Sequence, residues 1–194
     1  MKILPGEEDI CMQNKLLKEF DTMSKRIACV ITDMFEDVEY TDPAKSYKEA
    51  GHEVVTIGFE KGQTVEGKQG KEKVDIQMGI DEAKADDFDA LFIPGGFSPD
   101  ILRGDERFVS FAKEFMDAKK PVFAICHGPQ LLITAKALEG RDATGYKSIK
   151  VDLENAGARF HDEEVFVCGK QLVTSRQPDD IPAFNRESLA LLSN

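Results

Sequence analysis

Short apolar runs rich in β-branched residues recur along this chain, and each is followed by a segment with helical spacing. RIACVIT (26–32), HEVVTIGF (52–59), DFDALFIPGG (87–96) and PVFAI (121–125) have the length and composition of buried strands. Between them lies helix grammar. Asp42 reads as an N-cap with Pro43 at the first helical position and Gly51 beyond the end. DERFVSFAKEFMDAKK (105–120) sets Phe108, Phe111, Ala112 and Phe115 on one helical face, and HGPQLLITAKAL (127–138) reads as the helix after the fourth strand. The glycine-rich stretch 61–77 predicts small hairpin strands at an edge. RDATGY, VDLENAGARF, EVFVCGKQLVTS and DDIPAFNRESLALL read in turn as strand, helix, hairpin strands and closing helix. This alternation predicts an α/β fold, a mostly parallel central sheet with helices on both faces. With no internal repeat and no linker, a single domain is expected over residues 23–194. Residues 1–22 are expected to form a dispensable arm; they contain the amphipathic NKLLKEFDTM and lack the apolar region of a secretory signal.

The formal net charge of −11 disfavours binding to a nucleic-acid backbone, although it leaves small nucleotides open. No stretch approaches the ~20 apolar residues of a membrane span. Cys11, Cys29, Cys126 and Cys168 are widely spaced, with no CxxC pair, and are expected to be reduced thiols in a cytoplasmic protein. Cys29 and Cys168, inside apolar strand-like runs, read as buried structural thiols.

Cys126 stands apart. It ends the fourth strand run and precedes His127, Gly128 and Pro129. A sharp strand-to-helix elbow there would lift the sulfur above the sheet edge, with Gly128 making room for the bend. The N-terminus of the following helix would favour the thiolate. His127 need not face the sulfur in such a bend; an acid elsewhere could orient it. Gly95 and Gly96, in IPGG, offer unobstructed N–H groups for an oxyanion pocket, and Gly128 is grouped with them. Glu36 and Glu39, in FEDVEY, are candidate carboxyls. If Glu36 approaches the sulfur it must hold its proton and donate, and the two groups titrate as a pair. Asp100 is by its position either a helix cap or an acid serving His127. His52 reads as a satisfied surface histidine. No two histidines have metal-ligand spacing, so no metal and no cofactor are expected.

Taken together, AICHGPQLLI, FEDVEY, DALFIPGGFSPDILR and VTSRQPDDIPAFNRE resemble the ThiJ/PfpI superfamily, in particular its PfpI-type intracellular protease and general stress protein branch. The resemblance runs from Lys25 onward. It implies a flavodoxin-like three-layer sandwich, a nucleophilic Cys126 on a strained elbow, Glu36 as the carboxyl that contacts the sulfur, and Gly96 in the oxyanion pocket. It further implies that His127 is oriented by an acid from a neighbouring subunit. That acid aligns with Asp100, where those proteases carry the longer Glu, and a homo-oligomer, either a dimer or an assembly of dimers, follows.

The activities that the resemblance implies are glyoxalase or deglycase chemistry on reactive carbonyls, intracellular peptidase activity, or redox sensing and chaperone action through the same cysteine. A stress-response enzyme for small carbonyl compounds or their protein adducts is the first expectation, since a small apolar cleft with one thiolate suits a three-carbon dicarbonyl better than an extended peptide. Cysteine peptidase activity on peptide or protein substrates is the second, with His127 and Asp100 protonating the leaving amine. In the third, Cys126 oxidises to a sulfinate that Glu36 hydrogen-bonds. Cys126-x-Gly128-x-Gln130 echoes a glutaminase elbow. HDE at 161–163 lies too soon after the cysteine for that class, which is set aside.

Overall fold

A computed structural model describes residues 24–193; the arm expected over 1–22, with Cys11, lies outside them. Strand β1 (Arg26–Val30) leads into helix α1 (Asp37–Glu49), then β2 (Glu53–Gly58). A small antiparallel hairpin, β3 (Thr64–Glu66) and β4 (Lys73–Asp75), precedes β5 (Met78–Gly79) and β6 (Ala90–Ile93). Helices α2 (Ser98–Leu102) and α3 (Glu106–Asp117) lead to β7 (Val122–Ile125) and the short α4 (Pro129–Thr134). β8 (Asp142–Ala143), α5 (Lys150–Asn155), β9 (Arg159–Phe160), β10 (Val165–Cys168), β11 (Leu172–Ser175) and α6 (Ile181–Leu192) complete the chain.

Seven strands form the main sheet in the order β10-β11-β7-β6-β1-β2-β5, parallel throughout except for β10 against β11. The four apolar runs supply its centre, as their composition requires. Alternation along each run fills two cores. Ile27, Cys29, Phe92, Phe123 and Val173 face Tyr47 of α1 and Phe184 of α6. Ala28, Val30, Leu91, Ile93 and Ala124 face Phe108 and Phe115 of α3 and Leu131 of α4. Tyr47 is wholly buried between the rings of Phe92 and Phe123, with centroids at 5.6 and 5.8 Å, and such an aromatic contributes about 1.5–3 kcal/mol through burial. The strand order turns back between β1 and β6, and parallel sheets collect ligands at the C-terminal ends flanking that switch.

Four expectations are corrected. The first helix does not begin at Asp42–Pro43: it starts six residues earlier, at Asp37, and carries Pro43 inside it. Pro43 merely removes the N–H that would have bonded the Glu39 carbonyl. The start is fixed by Asp37, whose carboxylate accepts the backbone N–H groups of Gln69, Lys71 and Glu72 at 2.9–3.1 Å. The glycine-rich hairpin is a separate two-stranded sheet held there, and β5 forms the edge of the main sheet. The helix after Cys126 spans 129–134, not 127–138, because Lys136 takes a left-handed φ of 54° and its turn caps the helix, Ala137 N–H reaching Leu132 O at 3.1 Å. Cys29 is fully buried, whereas Cys168 is only half-buried. Among the described residues no helix is long and apolar enough to cross a membrane.

Candidate active site

Cys126 follows β7 at φ 60°, a left-handed conformation that costs a non-glycine residue about 1–2 kcal/mol. The surroundings over-determine it. Cys126 N–H donates to Ser175 O, Tyr146 N–H donates to Cys126 O and Gly128 N–H donates to Ile125 O, at 2.8–2.9 Å. A Cβ at Gly128 would lie 2.5 Å from Ile93 O, so the elbow requires glycine there. That N–H closes the turn, and Gly128 acts beneath the elbow instead of lining the cavity. Cys126, only 8% exposed, lies at the base of a cavity of about 530 Å³.

His127 does face its neighbour. Its Nδ1 lies 3.3 Å from Cys126 Sγ, and its Nε2 is 3.2 Å from Ser148 Oγ. Tyr146 leans on the imidazole with ring centroids 5.0 Å apart. Burial and the positive charge of Lys68 lower the His127 pKa, with Asp100 acting in the opposite sense. Asp100 borders the same cavity in its own chain, but its Oδ1 is gripped by Arg103 at 2.6 and 2.9 Å.

The carboxyl beside the sulfur is Glu39, not Glu36. Glu36 turns into the cavity mouth and pairs with Lys68. Glu39 is fully buried on the inward face of α1, with the Cys126 thiol and the Gly95 N–H as polar neighbours, and neither oxygen completes a hydrogen bond of standard geometry. A Cβ at Gly95 would lie 2.2 Å from Glu39 Oε2 and 2.7 Å from Cys126 Cβ. Gly95 is therefore the gap through which carboxyl and thiol approach. Burial pushes Glu39 up to about 8, repulsion from Glu36 adds to this, and Cys126, Lys68 and Gly95 draw it back. Burial and the Glu39 carboxylate raise the thiol, while the N–H groups of Gly96 and His127 pull it down. Two negative charges are thus excluded near neutrality; a thiolate forms there only while Glu39 keeps its proton. Gly96, at φ 79°, aims its N–H at the sulfur and tolerates no side chain, since a Cβ would meet Glu36 N and Met34 O at 2.4 Å.

Lys68 and Ser148 were not legible as site residues in the sequence. Lys68 rides on the hairpin that Asp37 anchors, its own N–H bonded to Phe35 O at 2.8 Å. Its ammonium is the one Lys or Arg charge on the described cavity wall, and it bears on Cys126 and Glu39 as well as on Glu36. The cavity keeps a largely apolar wall, as expected of a small apolar cleft, but Glu36, Glu39, Lys68 and Asp100 add charge to it. Of the other histidines, His52 accepts the Lys25 N–H at 3.2 Å, and His161 pairs with Asp142 at 2.8 Å away from the thiol. No cluster of three or more His, Cys, Asp or Glu suited to a metal occurs among the described residues.

Residues 25–191 match the DJ-1/PfpI family. General stress protein 18 of Bacillus subtilis is 69% identical over 88% of this chain and 99% of its own length. Protein/nucleic acid deglycase 2 of Escherichia coli is 59% identical over the same shares, and YraA of Bacillus subtilis, provisionally named a cysteine protease, is 61% identical. Among solved structures, the ThiJ/PfpI domain protein from Brachyspira murdochii superposes with a TM-score of 0.81 at 28% identity, covering 86% of this chain and 95% of that one.

Proposed function

The chain belongs to the DJ-1/PfpI family, and from that premise we propose a stress-response enzyme whose Cys126 thiolate attacks reactive carbonyl compounds or their adducts on proteins. The observation that carries the reading is the pairing of Cys126, on its left-handed elbow, with a buried Glu39 that still holds a proton at neutral pH. In the simplest case, methylglyoxal, Sγ adds to the aldehyde carbon. The carbonyl π pair moves to oxygen, where the N–H groups of Gly96 and His127 stabilise it and a proton is taken up. A base removes the carbon-bound proton, reprotonation at the adjacent carbon leaves a lactoyl thioester, and water releases lactate and the thiolate. Glu39 and His127 are the groups placed to move those protons.

Asp100 is assigned the orientation of His127, supplied by a neighbouring subunit. In support of an assembly, Phe97 on the cavity wall exposes apolar surface at 53%, and Met34 and Val38 are exposed at 47 and 41%. A peptidase reading draws support from the short His127–Cys126 contact and from the name of the YraA relative. Lactate formation from methylglyoxal and cleavage of a casein-type substrate, measured side by side for the wild type and Cys126→Ser, separate the two. Cys126-dependent lactate is expected. Lactate formed equally by Cys126→Ser, or Cys126-dependent casein cleavage without lactate, overturns the proposal.

A further inference from the structure

A second cavity of about 430 Å³ is lined by chain neighbours of two residues of the thiol pocket. Tyr146 and Pro178 face the thiol pocket, while their chain neighbours Gly145, Lys147 and Gln177 face the second cavity. Ser148, which holds His127 Nε2, lies on the same turn as Lys147. The two spaces are thus back to back across two short stretches of chain.

Three cations, Lys147, Lys150 and Arg176, and one acid, Asp162, line the second cavity of a chain whose net charge is −11. Arg176 is spent structurally, since Asp162 and the buried Asp180 take its guanidinium at 2.8–3.1 Å. Asp162, the acid on the cavity wall, shares that one guanidinium with Asp180. Lys147 has no ion-pair partner among the described residues. Lys150 has only Glu154, at 3.9 Å, and hangs over the Phe160 ring at 5.6 Å. Gly145 and Gln177 each bring a backbone N–H that has no acceptor among the described residues, and Gly145 is buried. One unpaired ammonium group, a second held only by a long ion pair, and two N–H groups without an acceptor among the described residues surround one cavity; these are donors of the kind an oxyanion accepts several of at once.

We propose that this cavity is an oxyanion subsite, and that the enzyme favours carbonyl substrates carrying a phosphate or carboxylate on the end remote from the reacting carbon. The substrate class rests on the carbonyl reading above; the binding of the anion does not. Because the two cavities are lined by adjacent residues, an anion held at Lys147 and Lys150 would leave the rest of its molecule beside Tyr146, which borders the thiol pocket.

Amide NMR titration with inorganic phosphate, with acetate in a second arm and chloride at matched ionic strength as control, tests the subsite directly. Saturable shifts at residues 145–150 and 176–177 are expected with phosphate, acetate or both, and the two arms show which oxyanion is preferred. Lys147→Glu with Lys150→Glu should weaken that binding by about tenfold or more, and the double Lys→Arg variant should retain it. Methylglyoxal turnover should be unchanged in both, because neither lysine lines the thiol pocket. The ratio of kcat/KM for 4-carboxyphenylglyoxal to that for phenylglyoxal should fall severalfold in the double Glu variant. Shifts that chloride reproduces, or phosphate binding that survives the double Glu variant, overturn the subsite. An unchanged ratio with binding lost overturns the substrate class. Failure of all carbonyl turnover in the wild type would sink the proposed function while the titration still decides the subsite.

Discussion

Glu39 is the residue on which the chemistry turns, and its burial has a consequence for stability. The unfolded chain releases the Glu39 proton near pH 4.5, whereas the folded chain keeps it to about 8. Between those values the folded state binds more protons, so this group makes stability fall as pH rises through that window and level off above it. Glu39→Gln removes the slope. Urea denaturation of both proteins should show a larger gain for the variant at about pH 8 than at about pH 5. Equal gains at the two values would mean that Glu39 ionises normally in the fold. Glu36 and Glu39 look alike in FEDVEY because which one faces inward depends on where the helix begins. Once α1 starts at Asp37, Glu39, Pro43 and Tyr47 fall at four-residue spacing on one buried face. That stripe was present in the sequence, but the stronger local signal of Asp42–Pro43 hid it.

At the scale of elements, the central strands were legible because each is buried on both sides and so reads as an uninterrupted apolar run. Cys126 was legible for the same reason: the run stops, and Gly128–Pro129 can only turn. The hairpin was not legible as part of the site. Its short strands present one buried residue each, Val65 and Val74, and its place is set by Asp37, some thirty residues away in the chain. Asp37 therefore positions Lys68 at a distance. A Cβ at Gly67 would lie 2.5 Å from the Asp37 carboxylate, which shows how closely the hairpin is drawn onto it. Asp37→Ala strands three N–H groups and should cost about 2 kcal/mol or more. Hydrogen exchange should accelerate at Gln69, Lys71 and Glu72 while core amides of β6 and β7 keep their protection. Unaltered exchange at those three would show that the hairpin holds itself.

For the whole molecule, the sheet order places three loops together at its switch point: β1 to α1 brings Glu36 and Glu39, β6 to α2 brings Gly95, Gly96 and Asp100, and β7 to α4 brings Cys126 and His127. The trans role proposed for Asp100 is tested by co-refolding Cys126→Ala with Asp100→Ala subunits. Mixed oligomers should regain part of the activity that each lacks alone; verified mixed oligomers without recovery would return Asp100 to its contact with Arg103. Whether Glu39 governs the thiol of Cys126 is read most directly from iodoacetamide alkylation of Cys126 across pH in the wild type, Glu39→Gln and Glu36→Gln. A displaced midpoint is expected in Glu39→Gln and a midpoint close to the wild type in Glu36→Gln, whose carboxylate pairs with Lys68. A midpoint that moves with Glu36→Gln and stays put with Glu39→Gln would contradict that role of Glu39.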